Sequence, residues 1–168
     1  PTLSRDGMLW ILQSLASFRW TMQIGDITSA FTCGGPLKRS DGPLYCEAST
    51  TGLPHLDDDG QEVEGPLLFE LFKTVYGLGD GPIAWYHSFV ACMARLGFPQ
   101  SSFDSSVFFK RNKDQELIGV LGLTVDDVLC GGNGGFQGVL KDLRATFPFG
   151  SWKVGAGMYC GKHLEQHE

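Results

Sequence analysis

The stretch "LTVDDVLCGG", residues 123 to 132, constrains the fold most tightly. Two adjacent aspartates, Asp126 and Asp127, interrupt the most hydrophobic segment of the chain. Val128 and Leu129 resume its apolar character, and Gly131 and Gly132 follow. Like-charge repulsion and lost solvation both oppose that placement. The preceding "ELIGVLGLTV" reads as a strand that is apolar on both faces, the mark of a central, covered strand. The pair therefore stands at the end of a strand in the middle of a sheet.

A third acid has a similar setting. In "RWTMQIGD", Trp20, Met22, Ile24 and Asp26 alternate with period two, so a second strand carries Asp26 just past its last core contact, at a rim. If the two strands are neighbours, the three carboxylates converge. Such a cluster would repel itself and raise its pKa values unless cations neutralise it. Hard oxygen ligands at a sheet rim suit Mg²⁺, which keeps waters for a substrate phosphate to replace, and two-metal phosphoryl transfer is the economical chemistry. Within the pair, alternation separates the side chains unless the chain turns between them, so Asp126 is expected to be the firmer ligand and Asp127 the more peripheral one. Two plainer readings stand beside this one. Asp26 is a possible N-cap for a helix beginning at Ile27, and an Asp pair is ordinary hairpin-turn material.

Around these strands, Met8, Ile11, Leu12, Leu15 and Phe18 follow helical spacing and predict a helix over 5–18 with Ser4 as N-cap. A short helical turn is expected in "ITSAFTC", and strands at 43–48 and 67–73. The acidic stretch between those strands, residues 49 to 66, reads as an exposed loop. Trp85, Phe89, Cys92 and Leu96 predict a helix over 82–96 ending at Gly97. "SSVFFKR", the turn "NKDQ" and the apolar strand make a hairpin. Phe136, Val139, Leu140, Leu143 and Phe147 predict a third helix, and "SWKVG" and "GMYCGKHLE" the last strands. This order predicts an α+β fold, an antiparallel sheet with helices packed on one face.

The 168 residues suffice for one domain or one lobe of something larger, and 42% hydrophobic content is that of a globular chain. The N-terminus reads as a cut inside a longer polypeptide, without a signal peptide. Five cysteines form no CxxC pair, which argues for free thiols in a reducing, intracellular compartment. A net charge of −6 is awkward for a grip on nucleic acid, so any such grip is local or supplied by other parts.

Smaller features have plain readings. Cys160, His163 and His167 have spacing that could recruit zinc but lack an evident fourth ligand, and surface histidines are the default. "DDDG", 57 to 60, has its glycine too early for a calcium loop. The tip "KRNK", 110 to 113, reads as a solvated turn sooner than a nucleic-acid contact. The glycines at 131, 132, 134 and 135 precede no G-K-[ST] and form no phosphate loop.

"GDITSAFTCG", "TVYGLGDGPIAWY", "LGF", "LTVDDVLCGG" and "MYCGKHLE" occur in the order and spacing of the reverse transcriptase domain of copia-type LTR retrotransposons. The chain resembles that family over nearly its whole length from Leu3. The resemblance implies the palm of an RNA-directed DNA polymerase, with an RRM-like antiparallel sheet. Asp26, Asp126 and Asp127 match the metal-binding catalytic aspartates, holding Mg²⁺ or Mn²⁺. Phe31 matches the aromatic beneath the incoming nucleotide's sugar, Val125 the residue near the primer end, and Ile27 falls among the substrate-binding positions. The implied partners are an RNA or DNA template with primer, a dNTP, and the polyprotein's fingers, thumb and RNase H, which lie outside this palm fragment of residues 1 to 168. No membrane partner is implied, and the compartment would be cytoplasmic or nuclear. The chain departs from the family at Thr124, where a tyrosine is usual, and at Gly79, Asp80 and Ile83, where Lys, Gln and Arg are usual. A decayed palm without activity, or a non-catalytic RRM-like binding module, are the alternatives.

Overall fold

The computed structural model describes residues 2–37, 40–47, 55–57, 59–62 and 68–167. Five strands form one antiparallel sheet in the order β4-β5-β6-β1-β7. They are β1 (Gln23–Ile27), β4 (Val107–Arg111), β5 (Leu117–Thr124), β6 (Asp127–Gly132) and β7 (Phe149–Val154). Two small hairpins form two-stranded sheets of their own: β2 (Tyr45–Glu47) with β3 (Leu68–Glu70), and β8 (Ala156–Tyr159) with β9 (Lys162–Glu165). The helices are α1 (Arg5–Phe18), α2 (Gly81–Arg95) and α3 (Gly134–Thr146). The architecture is α+β, as the order of sequence patterns predicts.

Local chemistry accounts for the element ends. Ser4 caps α1 by accepting a hydrogen bond from the Gly7 amide at 2.9 Å, and Arg19 closes the helix in the left-handed conformation at φ 54°. A proline in the first turn opens α2. The Asn133 side chain accepts from the Gly135 amide at the start of α3. Asp26 caps no helix. It lies within β1, and the short 3₁₀ turn Ala30–Cys33 begins after Ser29.

The sheet buries both faces, and here the expectation of a single helical face needs correction. Phe108, Leu121, Leu123, Val128 and Cys130 pack with α2 and α3. The alternate residues Val107, Val120, Leu129 and Ile24 pack with Ile11 and Leu15 of α1 and with Tyr159 of β8. α2 and α3 thus share one face, while α1 and the β8–β9 hairpin cover the other. Amphipathic spacing tells which side of α1 is buried, not which side of the sheet receives it. Part of the acidic 49–66 loop lies outside the described residues. Within it, Asp57 forms a turn by accepting from the amides of Asp59 and Gln61.

Bare glycines let the helices approach the sheet. Gly119 and Gly132 are Cα partners across β5 and β6, and the Phe136 ring of α3 rests on both. A Cβ at Gly119 would overlap that ring, and one at Gly132 would lie 2.5 Å from its Cγ. On the other face Gly122 does the same for Ile11, at 2.6 Å. The glycines that close "LTVDDVLCGG" therefore serve packing. Gly119→Ala is expected to destabilise the fold by about 1–3 kcal/mol through overpacking. Gly138→Ala, at an exposed position of α3 with open space around it, should be neutral or stabilising by about 0.5–1 kcal/mol. Urea melts of the two variants check the contrast.

Candidate active site

β1 and β6 are neighbours, and their register makes Asp26 and Asp127 direct Cα partners. Partners across an antiparallel pair project to the same side, so the two carboxylates share a face. Both open onto a cleft of about 420 Å³ that is also lined by Ile24, Ser151, Lys153 and His163. Asp126 sits one residue earlier, in the two-residue turn between β5 and β6. Thr124 and Asp127 are the last paired residues, so Val125 and Asp126 form the turn itself. The hairpin-turn reading holds for Val125 and Asp126, and the register brings Asp26 and Asp127 together on one face beside that turn.

The electrostatics register this convergence. Burial pushes the half-buried Asp126 carboxyl above the usual carboxylate range. A hydrogen bond from its own amide opposes that shift, while the charges of Asp127 and Asp26 add to it. Among the described residues, no group of three or more His, Cys, Asp or Glu side chains is placed to hold a metal ion together.

Several contacts hold the turn. Val125 adopts φ 53°, a left-handed conformation that is costly for a β-branched residue. Its carbonyl accepts from the indole Nε1–H of buried Trp85 on α2, at 2.6 Å. The Ile27 amide donates to the Asp126 carbonyl at 2.8 Å, extending the β1–β6 ladder into the turn. Thr2 bridges to Thr124, and the Leu3 amide donates to the Leu123 carbonyl, so the N-terminal segment braces the end of β5. The Thr124 hydroxyl meets the buried Tyr159 hydroxyl at 2.9 Å, and the Cys160 amide donates to Asp127 Oδ2 at 3.0 Å.

The remaining sequence-derived positions are placed as follows. Phe31 is half-buried in the 3₁₀ turn and packs against the Tyr76 ring, with centroids 4.7 Å apart. Ile27 is 1% exposed and belongs to the core, so its side chain offers no surface to a substrate and its amide serves the turn. His163 lines the acidic cleft, whereas His167 lines a groove between α1 and the chain's last described residues. In the "KRNK" tip, Lys110 donates to the Leu96 carbonyl and lies 5.3 Å from the Phe98 ring centroid, while Arg111 donates to the Gln115 carbonyl. Those two cations are engaged within the fold. All five cysteines are free thiols, with Cys92 and Cys130 buried. Sequence reasoning missed Trp85 and Tyr159 as braces of the turn. The usable signal was that a buried indole or phenol needs a hydrogen-bond partner.

No family model matches the chain. A Retrovirus-related Pol polyprotein from transposon TNT 1-94 of Nicotiana tabacum is 29% identical over 151 residues. That match takes in 88% of this chain and 10% of the polyprotein, so the chain spans about a tenth of its relative's length. The chain is thus similar to a segment of a retrotransposon Pol polyprotein. Among the described residues, no helix is long and apolar enough to cross a membrane.

The burial of Asp126, with the two neighbouring charges adding to it, has a consequence for stability. Because the folded state raises the Asp126 pKa, it holds that proton longer than the unfolded chain, and stability falls as pH rises from the usual carboxylate range through the raised value. Asp126→Asn removes this penalty. In buffer with a chelator, the variant should melt above the wild type at neutral pH, and the gap should close as pH falls below about 4, where both states become protonated. Calorimetric scans across that range check it.

Proposed function

We propose that this chain is the palm of a retrotransposon reverse transcriptase, catalysing nucleotidyl transfer from a dNTP to a primer 3′-hydroxyl on an RNA or DNA template. The observation that carries the reading is the cross-strand pairing of Asp26 with Asp127, with Asp126 in the adjoining turn within reach of their charge. The similarity to a retrotransposon Pol polyprotein supports it. So does the left-handed Val125, since strained backbone beside charged groups is characteristic of functional sites.

The donor set suits Mg²⁺ or Mn²⁺. Mg²⁺ is usually held by one or two carboxylates together with waters and substrate phosphates, so it does not require three protein ligands. Asp26 and Asp126 would hold the ions. Asp127 has one oxygen occupied by the Cys160 amide and would assist from the side. When bound, the metal supplies charge neutralisation and a primer hydroxyl of lowered pKa.

The chain's own residues account for positioning. The turn, pinned by Trp85, fixes Asp126 and presents Val125 where the primer end would lie. Phe31, backed by Tyr76, supplies a firm aromatic surface for the nucleotide's sugar and disfavours a 2′-hydroxyl. The primer oxygen attacks the α-phosphate, the bond to the β-phosphate oxygen breaks, and pyrophosphate leaves. With a net charge of −6, this lobe relies on the fingers and thumb for most of the charge that grips nucleic acid.

The test is primer extension with Mg²⁺ or Mn²⁺ by a polypeptide that joins this chain to those parts. Asp26→Asn and Asp126→Asn should each lower the rate by about a hundredfold or more, the scale seen when a group that stabilises transition-state charge is lost. Asp127→Asn should cost less. Extension unaffected by Asp26→Asn would overturn the reading. Metal-independent binding of single-stranded RNA that survives Asp126→Asn, without any extension, would replace it with a binding module.

A further inference from the structure

A second cleft lies between α3 and the sheet at β1 and β7, on the face opposite the carboxylates. Gln23 begins β1, three residues and about 10 Å along the strand from Asp26. The cleft encloses about 400 Å³. Gln137, Lys141 and Arg144 line one wall from α3, at spacings of four and three residues that put them on one helix face. Gln23 and Trp152 form the other wall.

The chemistry of these walls is one-sided. Arg144 lies over the Trp152 ring, 5.0 Å from Cζ to the centroid, which fixes the guanidinium plane and leaves its N–H edge available. Trp152 is itself held, with its Nε1–H donating to Gln23 Oε1 at 2.9 Å and the Phe149 ring edge-on at 5.0 Å. Gln23 is only 6% exposed. Its carbonyl oxygen is taken by Trp152, so its amide NH₂ is left for the cleft. The lining contains no carboxylate. Two full positive charges outweigh the partial negative charge at the end of α3, about half an elementary charge.

A donor-rich, cationic cleft selects an oxyanion. Its volume exceeds a bare ion and falls in the range of small-molecule sites, about 300–1,000 Å³. We infer that this cleft binds a phosphate group carried by a nucleotide or a nucleic-acid backbone. Lys141 and Arg144 are the charged contacts, Gln23 is the buried donor, and Trp152 holds Arg144 in place. In a chain of net charge −6 it is a local cationic site, separate from the proposed catalytic carboxylates.

The test follows the Trp152 indole N–H resonance of the whole chain during titration with ADP and, separately, with a single-stranded oligodeoxynucleotide of about ten nucleotides. A saturable shift with ADP assigns a free nucleotide, and a shift with the oligonucleotide alone assigns the backbone. The double variant Lys141→Gln, Arg144→Gln should weaken the active probe at least about tenfold. Both side chains are exposed, so the variant should melt like the wild type. Lys113→Gln, which removes a charge at the β4–β5 tip, and Asp26→Asn should leave binding unchanged, which keeps this result independent of the polymerase reading. No shift with either probe in the millimolar range, equal binding by the double variant, or equally tight binding of a glutamate oligopeptide would each overturn the assignment.

Discussion

Asp26 and Asp127 are partners in the antiparallel pairing of β1 with β6, a position where like charges directly destabilise a sheet. Their neighbours impose it. Ile24 lies opposite Leu129 in the same register and on the same face, and both are buried against α1. A slip of one residue would turn Leu129 toward the wrong face and strip the α1 side of the core. Each fully buried aliphatic side chain is worth about 1.5–3 kcal/mol, so apolar pairs set the register and the acids must follow. The Ile27 amide then carries the ladder past the last pair to the Asp126 carbonyl.

The turn adds a second cost at the same place. A two-residue hairpin that needs a positive φ is normally built with Gly or Asn, yet here Val125 takes that conformation. Trp85 answers part of the cost through its hydrogen bond to the Val125 carbonyl, which ties the turn to the body of α2. Carboxylate repulsion and a left-handed valine thus fall on consecutive residues while the surrounding sheet is packed to exclusion of glycine side chains. Two local costs, like charges paired across strands and a left-handed valine, therefore fall together at one rim of the sheet.

Much of this was legible because it rests on short-range patterns. The spacing of Met8 to Phe18 and the Ser4 cap delimit α1 within the chain as folded, and the "NKDQ" turn fixes the β4–β5 hairpin. Alternation through Trp20, Met22 and Ile24 placed Asp26 at a rim, and the adjacency of β1 and β6 then brought the acids together. What stayed hidden depends on the third dimension. Nothing in the repeat of α1 says that it crosses to the face opposite α3, and no local signal sends Tyr159, 35 residues away, to the Thr124 hydroxyl. Arg144 and Trp152 look like an ordinary helix cation and a strand aromatic until the packing of α3 stacks them.

Thr124 shows how the two levels combine. Thr124 is the last residue of β5 and pairs with Asp127, and the Tyr159 hydroxyl of β8 is bonded to its side chain. Tyr159 is 1% exposed, and burial pushes its phenol well above the usual range, so it is a neutral core group facing inward. Its effect runs through the neighbouring Cys160, whose amide then holds Asp127 Oδ2. The threonine therefore acts as a brace. The β8–β9 hairpin is drawn onto the carboxylate pair, and the position of Asp127 becomes dependent on a segment that sequence pattern alone would treat as a peripheral hairpin.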